Sequence, residues 1–491
     1  MSSPDTTNPH HRRRWLILAV IGIAQLMVVL DATIVNIALP SAQGDLGFSD
    51  DSRQWIITAY ALAFGSLLLL GGRIGDLFGR KWAFIVGLIG FAVASALGGA
   101  AQSFGLLVAA RALQGVFGAV LAPAALSLLA TTFTEPAERG KAFGVFGAIA
   151  GSGAAAGLLL GGLLTEWLSW RWCLYVNLLF AAAAAVGAMV LLVNQPHPDR
   201  PRIDLPGTLA ATLGCFGLVF GFSHAQTASW SSGGTLGSLA AGVVLLTAFV
   251  AIQRRVANPL LPLRVVLDRN RGGSYLAVGI AGIAMFGVFL FLTYYLQQNL
   301  GFSPIQAGLA FLPMTFAIMF TATTANIVVL PRFGPRRLVT GGMLLAAAGM
   351  LILTQLQVSS GYASHVLPAL LVAGVGFGLI FAPAFSGATL GVHPRDAGVA
   401  SAMVNTAQQI GGSIGTALLS TLAASAATSF AEGRQPSRGL AAEAAVHGYT
   451  TAFWWSAGIF VAGALICVAL LRPGVAAVGE QAPAGEPALA H

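Results

Sequence analysis

The sequence has 491 residues, of which 56% are hydrophobic and only 9% are charged, and its mean hydropathy is +0.80. This composition excludes a soluble globular protein and indicates a polypeptide that crosses a lipid bilayer many times. The net charge of +8 comes mostly from arginines in loops between apolar segments, so we expect no nucleic-acid partner.

Fourteen apolar segments, each long enough to cross a bilayer as a helix, follow one another along the chain. They begin near Trp15, Trp55, Trp82, Leu106, Ala142, Trp172, Pro206, Leu236, Gly273, Gln306, Leu338, His365, Gly398 and Tyr449. If the N-terminus lies inside the cell, most of the 25 Lys and Arg residues fall in inner loops. Because inner loops are enriched in positive charge, the pattern predicts that both termini are cytoplasmic.

Three short motifs recur in the same order in the two halves of the chain. FGRKW at residues 78–82 recurs as FGPRR at 333–337, G-x-x-x-A-P-A at 118–124 recurs at 378–384, and PAERG at 136–140 recurs as PRDAG at 394–398. Because all three pairs are 255 to 260 residues apart, the sequence predicts two repeated six-helix bundles with a pair of helices inserted between them. Repeated bundles of the same orientation suit a transporter whose halves rock about a central site.

The predicted fold class is therefore all-α, a polytopic membrane protein with two six-helix bundles and two inserted helices. The expected divisions are a cytoplasmic tail at 1–14, the first bundle at 15–195, the inserted pair with its linkers at 196–270, the second bundle at 271–472 and a disordered cytoplasmic tail at 473–491. We expect the chain to act as a monomer.

Two charged residues lie well inside predicted spans, Asp31 in the first helix and Arg111 in the fourth. A charge at that depth costs ~2.5 kcal/mol or more on insertion scales, so each is a candidate functional residue. Helix rise places them about 8 to 13 Å below the outer ends of their helices, within reach of each other if the helices are neighbours. We therefore predict that they pair and that Asp31 carries protons. The alternatives are a purely structural pair, and an Arg111 side chain that snorkels to the membrane interface.

The segment GGRIGDLFGRK, residues 71–81, joins the second and third helices. Its glycines permit a tight turn and close backbone approach, and its single acid can form ion pairs that hold one conformation and break in another. We predict a gating role for this loop through Gly72, Asp76, Gly79, Arg80 and Lys81. The simpler alternative is that the loop only anchors the orientation of the chain.

The fifth helix contains GAIAGSGAAAGLLLGG, residues 147–162. Small residues at this density let two helix backbones approach closely. The candidate residues for this close helix contact are Gly147, Gly151, Gly157, Gly161 and Gly162. A packing face with no further role is an equal alternative for this segment.

Five segments together resemble the major facilitator superfamily, and within it the branch of fourteen-helix drug:proton antiporters. The resemblance covers residues 15–472 and is carried by LDATIVNIALP at 30–40, WIITAY at 55–60, RALQGVFGA at 111–119, the loop at 71–81 and the glycine-rich fifth helix. It implies export of drugs or antibiotics in exchange for protons, and an antiporter motif in the fifth helix. The sequence departs from the family pattern at Leu77, where a basic residue is commoner, and at Leu158, where proline is usual.

The sequence contains no phosphate-binding loop for ATP, because its only two lysines, Lys81 and Lys141, are not followed by Ser or Thr. We therefore expect a proton gradient as the energy source, with neither a cofactor nor a metal, and no enzymatic activity. An amphipathic organic substrate would need a mostly apolar cavity with a few polar groups. The candidate cavity residues are Gln25, Thr33, Asn36, Gln114, Asn177, Tyr294 and Asn405.

Two other classes stay open on the sequence. An importer or facilitator of a small metabolite would share the fold but would carry more polar or charged side chains around the cavity. A receptor or structural protein would need neither the repeat nor the Asp31–Arg111 pair. The 2 lysines against 23 arginines are typical of a high-GC bacterial genome, so we expect a location in the bacterial cytoplasmic membrane.

Overall fold

A computed structural model of the chain describes residues 13–48, 50–193, 204–227, 229–257, 259–393, 396–432, 434 and 439–473. Sixteen α-helices and no strand occupy these residues. The helices are α1 (Arg14–Leu46), α2 (Asp50–Phe78), α3 (Arg80–Gly99), α4 (Phe104–Thr132), α5 (Pro136–Trp167), α6 (Trp172–Leu191), α7 (Leu205–Thr227), α8 (Gly233–Gln253), α9 (Leu263–Val266), α10 (Arg269–Tyr294), α11 (Pro304–Ala310), α12 (Leu312–Thr324), α13 (Leu330–Leu353), α14 (Leu367–Thr389), α15 (Ala397–Ala431) and α16 (Leu440–Leu470). Most of the two predicted tails lies outside the described residues.

The described helices account for fourteen passes across a membrane. Twelve stretches are long and apolar enough to cross one, and the stretch at residues 305–353 contains two passes, because non-helical dihedral angles at Gly334 (φ 74°, ψ 165°) interrupt it. Helix α5, which is 32 residues long and therefore long enough to cross a membrane, brings the total to the fourteen helices that the sequence predicts. The predicted all-α polytopic fold is thus confirmed.

The two halves of the chain pack their helices in the same pattern. In the first half, α1 contacts α5 and α6, α4 contacts α2 and α3, and α3 contacts α6. In the second half, α10 contacts α15 and α16, α14 contacts α12 and α13, and α13 contacts α16. The repeat is therefore present as two six-helix bundles, whereas the exact residue boundaries of the bundles stay a prediction.

The repeat extends to an ion pair at the end of the molecule where α1 begins, which we call the basic end because it gathers Arg14, Arg139 and Arg264. Arg14 at the start of α1 lies 2.6 Å from a carboxylate oxygen of Glu138 in the first turn of α5. Arg264, shortly before α10, lies 2.7 Å from a carboxylate oxygen of Asp396 at the start of α15. Each bundle thus ties the beginning of its first helix to the beginning of its fifth.

Small residues of α5 serve two packing faces. Gly157 and Gly161 lie against α1, where a methyl group on Gly157 would come within 3.1 Å of a backbone carbonyl oxygen. Gly147 and Gly162 lie against α14 and α11 of the second bundle. The surroundings of Gly151 are outside the described residues. The glycine-rich segment therefore holds α5 between its own bundle and the other one.

The inserted helices bridge the two bundles. α7 and α8 pack on each other, and α7 contacts α2 of the first bundle and α15 of the second. In the linker after α8, Leu260 and Leu261 are buried in one apolar cluster with residues of α2, α7, α8 and α15. Gln253 fixes this linker, since its Oε1 accepts a hydrogen bond from the Leu261 N–H at 2.9 Å while its Nε2 donates to Asp204 at 2.6 Å.

At the end opposite the basic end, Asp45 near the end of α1 contacts the turn before α6. Its Oδ2 accepts a hydrogen bond from Trp170 Nε1 at 3.0 Å and forms an ion pair with Arg171 in the turn before α6. Hydrogen bonds from Trp170 and Arg171 hold the pKa of the Asp45 carboxyl below its usual value. These contacts lie beside an apolar cluster that fills this end of the bundle.

We expect Gly157→Val to lower the melting temperature of the purified protein, because the branched side chain would clash with Thr33 and with the α1 backbone. Overpacking of this kind costs about 1–3 kcal/mol. Gly458 on α16 is the matched control, since nothing lies within 4 Å of a methyl group there. Thermal denaturation in detergent measures both variants. Equal melting temperatures for Gly157→Val and Gly458→Val would contradict the close contact between α1 and α5.

Candidate functional site

A polar cluster lies sealed inside the first bundle. Its centre is the carboxylate of Asp31, midway along α1, which is 0% exposed. Arg111 of α4, which is 1% exposed, donates from Nη1 to Asp31 Oδ2 at 2.6 Å. The two charges that the sequence places deep in the membrane thus form a direct ion pair.

Two amides donate to the other carboxylate oxygen. Gln114, one turn after Arg111 on α4, donates from Nε2 to Asp31 Oδ1 at 2.9 Å. Asn177 of α6 donates from Nδ2 to the same oxygen at 2.8 Å. A buried carboxylate is very unfavourable unless donors satisfy its oxygens, and charge-assisted hydrogen bonds are the strong ones. Donors from two helices therefore surround Asp31 on both of its oxygens.

Ser95 on α3 holds these amides in place. Its hydroxyl accepts hydrogen bonds from Gln114 Nε2 and Asn177 Nδ2, each at 3.0 Å, and donates to the Leu174 carbonyl at 2.8 Å. The sequence reasoning missed Ser95. It is the single hydroxyl residue of α3, in the apolar part of the helix that follows Arg80 and Lys81. A lone polar residue in a membrane span is the signal that could have found it.

The guanidinium of Arg111 is held from three further directions. Its Nη1 also donates to Gln114 Oε1 at 2.8 Å, its Nε donates to the Ile56 carbonyl at 3.4 Å, and the group lies 4.5 Å from the ring centre of Tyr60. A cation over an aromatic face is attracted by the ring quadrupole. The side chain therefore points into the bundle and not towards the membrane surface. Tyr60 was also missed as a site residue.

The cluster places one titratable acid beside one fixed cation. Protonation of Asp31 would turn one of its oxygens from an acceptor into a donor and leave Arg111 without a counter-charge. A buried cation without its partner is strongly unfavourable. A change of charge on Asp31 would therefore loosen the contacts that join α1, α4 and α6.

Three of the candidate cavity residues lie on α1. Gln25 is 7% exposed, and Thr33 donates its hydroxyl to carbonyl oxygens of its own helix. The side chain of Asn36 lies outside the described residues. Of the candidates that the structure describes, only Gln114 and Asn177 hydrogen-bond the buried carboxylate.

The candidates of the second bundle sit in local contacts. Asn405 on α15 donates to the Ser401 carbonyl of the same helix at 3.0 Å. Tyr294 at the end of α10 is 40% exposed and stacks on Tyr449 of α16 with 6.4 Å between ring centres. The predicted cavity residues are thus spread over several helices and do not form one cluster among the described side chains.

The predicted gating loop joins the two bundles at the basic end. Asp76, buried near the end of α2, accepts at Oδ1 a hydrogen bond from the backbone N–H of Gly398 at 3.1 Å. Gly398 lies in the first turn of α15, where the N–H groups lack partners within the helix and the helix dipole favours an anion. Arg80 Nη2 lies 3.6 Å from the same oxygen. Gly72 makes the approach possible, since a methyl group there would come within 2.6 Å of the Gly398 carbonyl oxygen.

Gly79 and Lys81 shape the loop within the first bundle. Gly79 has a φ of 95°, a left-handed conformation that favours glycine, directly before α3. Lys81 Nζ donates to the carbonyls of Met189 at 3.1 Å and Leu192 at 2.7 Å, at the end of α6, as basic side chains often do at helix C-termini. Lys81 thus anchors the loop inside one bundle, whereas Asp76 reaches the other.

Comparisons with known proteins agree on one family. The model of the Major Facilitator Superfamily matches residues 21–416. Over 95% of its length the chain is 50% identical to the puromycin resistance protein pur8 of Streptomyces alboniger, of which 93% is covered. Over 94% of its length it is 36% identical to the cephamycin export protein CmcT of Amycolatopsis lactamdurans, of which 92% is covered.

One solved structure gives the same result for the fold. The human organic anion transporter MFSD10 superimposes with a TM-score of 0.62 at 16% sequence identity. The superposition covers 93% of this chain and 99% of that one. At this identity the likeness concerns the fold alone.

We expect Arg111→Met to destabilise the protein, because it leaves Asp31 buried without its cation. Removing one partner of a buried pair costs about 3–5 kcal/mol. Tyr60→Phe is the matched control, since a phenyl ring keeps the aromatic face beside the guanidinium. Melting temperature and the yield of monodisperse protein in detergent measure the difference. A wild-type melting temperature for Arg111→Met would show that the fold does not depend on the pair.

Proposed function

The chain belongs to the Major Facilitator Superfamily, and from this we propose that it exports small amphipathic organic compounds of the antibiotic type in exchange for protons. Two relatives support the substrate class, because they are named for puromycin resistance and cephamycin export. The observation that carries the proposal is the Asp31–Arg111 pair sealed inside one bundle. It supplies a titratable group of the kind that coupling to a proton gradient requires.

We propose that the protein works as a monomer in the bacterial cytoplasmic membrane, with its basic end facing the cytoplasm. The support is the positive-inside rule, since arginines gather at that end. Under this orientation both termini are cytoplasmic, and Asp45 lies on the outer side.

Helix α4 is the element through which a proton on Asp31 would act on the rest of the molecule. α4 carries Arg111 and Gln114 and also contacts α15 of the second bundle. When Asp31 takes a proton from the outer side, Arg111 loses its counter-charge and α4 can shift relative to α1. A shift of α4 alters the contact between bundles, which is the movement that alternating access needs. Release of the proton to the cytoplasm restores the ion pair and resets the cycle.

The energy available is sufficient for uphill export. One elementary charge moving across the membrane is worth about 2.3 kcal/mol per 100 mV. That amount corresponds to a concentration ratio of roughly 50-fold for a neutral substrate. One proton per substrate therefore suffices to lower the internal concentration of a toxic compound substantially.

The contact of Asp76 with α15 would keep the cytoplasmic side closed under the proposed orientation. The carboxylate sits at the beginning of a helix of the other bundle, so the attraction exists only while the bundles are together. Entry of substrate from the cytoplasm requires that this contact breaks. The loop would therefore set the balance between the two conformations.

The central test is proton-driven transport by Asp31→Asn, which keeps the shape of the side chain and one acceptor oxygen but cannot titrate. In inside-out vesicles with an acidic interior, the wild-type protein should accumulate puromycin and release protons as it does so. Compared at matched membrane levels, we expect Asp31→Asn to lose uphill accumulation at least ten-fold. Asp45→Asn, an exposed acid on the same helix, is the matched control and should transport normally.

Wild-type accumulation by Asp31→Asn with normal proton release would show that the proton passes elsewhere. The export proposal itself would be overturned if the wild-type protein released no protons in response to puromycin or to any other compound in a panel of amphipathic antibiotics.

We expect Asp76→Asn to reduce the rate of export about ten-fold at an unchanged membrane level, because the amide lacks the charge that the α15 terminus attracts. Glu138→Gln is the matched control, since the contact of Glu138 with Arg14 stays within one bundle. Initial rates in the same vesicles measure the effect. Normal export by Asp76→Asn would favour a plain orientation anchor for the loop.

A further inference from the structure

Arg139, in the first turn of α5, is a buried cation that the proposed cycle does not yet use. Its side chain is 8% exposed, and no carboxylate in the described part of the chain forms a salt bridge with it. Its guanidinium lies 4.6 Å from the ring centre of Phe143. Burying a charge without an acid is unfavourable unless other polar groups compensate.

The compensation comes from the last turns of two helices. Arg139 Nη1 donates to the carbonyls of Ala130 at 3.0 Å and Phe133 at 3.5 Å, at the end of α4. Its Nη2 donates to Thr389 Oγ1 at 2.7 Å and to the Ser386 carbonyl at 3.5 Å, at the end of α14. The final carbonyls of a helix lack partners within the helix, and the helix dipole favours a cation there. One guanidinium thus satisfies helix ends from both bundles.

The internal repeat does not place an arginine at the equivalent position of the second bundle. PAERG and PRDAG align Glu138 with Asp396, and both acids pair with an arginine at the start of, or shortly before, the first helix of their bundle. The same alignment puts Ala397 at the position of Arg139. The acid is therefore repeated, whereas the position of the bridging cation is occupied by alanine in the second bundle.

We infer that Arg139 is a positioning residue of the gate at the basic end, holding the ends of α4 and α14 together in the closed state. The inference rests on the proposed function, because it assumes that the bundles separate at this end. On opening, the bonds to α4 within the first bundle persist and those to Thr389 and Ser386 break. The gate then has two contacts of opposite sign, Asp76 on the beginning of α15 and Arg139 on the end of α14.

An aromatic contact beside Arg139 supports a closed interface at this point. Phe146 of α5 meets Phe385 of α14 edge to face, with 6.0 Å between ring centres. Gly147 lets the helices approach, since a methyl group there would lie 2.9 Å from Ala382 Cβ. The polar contact of Arg139 therefore caps a continuous α5–α14 interface.

The test measures opening of the basic end directly and needs no transport. Ser386→Cys places a thiol of nearly the same size at a buried position, and a membrane-impermeant maleimide applied to inside-out vesicles reports its exposure. The three native cysteines are buried, and vesicles without the reporter give the background. We expect Arg139→Gln to raise the labelling rate at least five-fold and Arg139→Lys, which keeps the charge, to raise it less.

Two further variants distinguish an effect on opening of the gate from a general loss of stability. Thr389→Val removes only the side-chain acceptor in the other bundle, leaves the α4 contacts intact, and should raise labelling at least two-fold with an unchanged melting temperature. Arg14→Gln removes a neighbouring arginine contact within the first bundle and should leave labelling unchanged. If Arg139→Gln does not fold, Thr389→Val decides the question.

Labelling of Thr389→Val at the Arg14→Gln rate would overturn the inference, as would an Arg139→Gln protein that folds and labels no faster than the wild type. Labelling reports the gate even if the wild-type protein moves no antibiotic, so failure of the inference and failure of the proposed function are distinguishable.

Discussion

The ion pair between Asp31 and Arg111 is the interaction on which the first bundle depends. Removing two charges from water costs several kcal/mol per ion, so neighbouring helices must supply polar groups. α3 provides the hydroxyl of Ser95, α4 the amide of Gln114 and α6 the amide of Asn177. One carboxylate thereby fixes the rotation of four helices about their axes. The equivalent stretch of the second bundle, residues 286–291, reads FGVFLF and holds no acid, so buried charge of this kind belongs to one bundle.

A single helix connects this pair to the far end of the molecule. Ala130, whose carbonyl accepts from Arg139, follows Arg111 on α4 by 19 residues, which is about 28 Å of helix. Pro123 lies between them and removes one backbone hydrogen bond, a common cause of bending. Helix α4 thus has a charge-sensitive contact near one end, a proline between, and at the other end a contact with Arg139, which also reaches α14 of the second bundle. Such a helix can convert a local change of charge into a displacement at distance. This is a physical basis for coupling, because each end has its own contacts to break.

Sequence reasoning recovers the features that follow from counting along the chain. Helix length and hydropathy give the number of passes, the constant offset of three motifs gives the two bundles, and depth along α1 and α4 predicts that Asp31 and Arg111 can meet. Features that depend on helix rotation are not recovered. Ser95 joins the cluster because α3 is rotated so that this side chain points towards α4 and α6. Tyr294 contacts α16 and lies next to a π-helical turn at Tyr295–Asn299, where the angular spacing of side chains around the helix differs from that of an α-helix. The contacts of Asp76 and Arg139 also escape, because, apart from the Thr389 hydroxyl, the partners described for them in the second bundle are backbone groups that carry no sequence signature.

The backbone partners of Asp76 and Arg139 affect how the contact between the bundles tolerates mutation. On the second bundle's side, Asp76 meets the backbone N–H of Gly398, and Arg139 meets the Ser386 carbonyl and the Thr389 hydroxyl. Two of these three partners are backbone groups, which most substitutions in α14 and α15 leave in place. On the first bundle's side, each contact relies on one codon. A substitution at Asp76 or Arg139 therefore removes a whole contact between the bundles, whereas a substitution in the facing helix ends of the second bundle removes at most part of one.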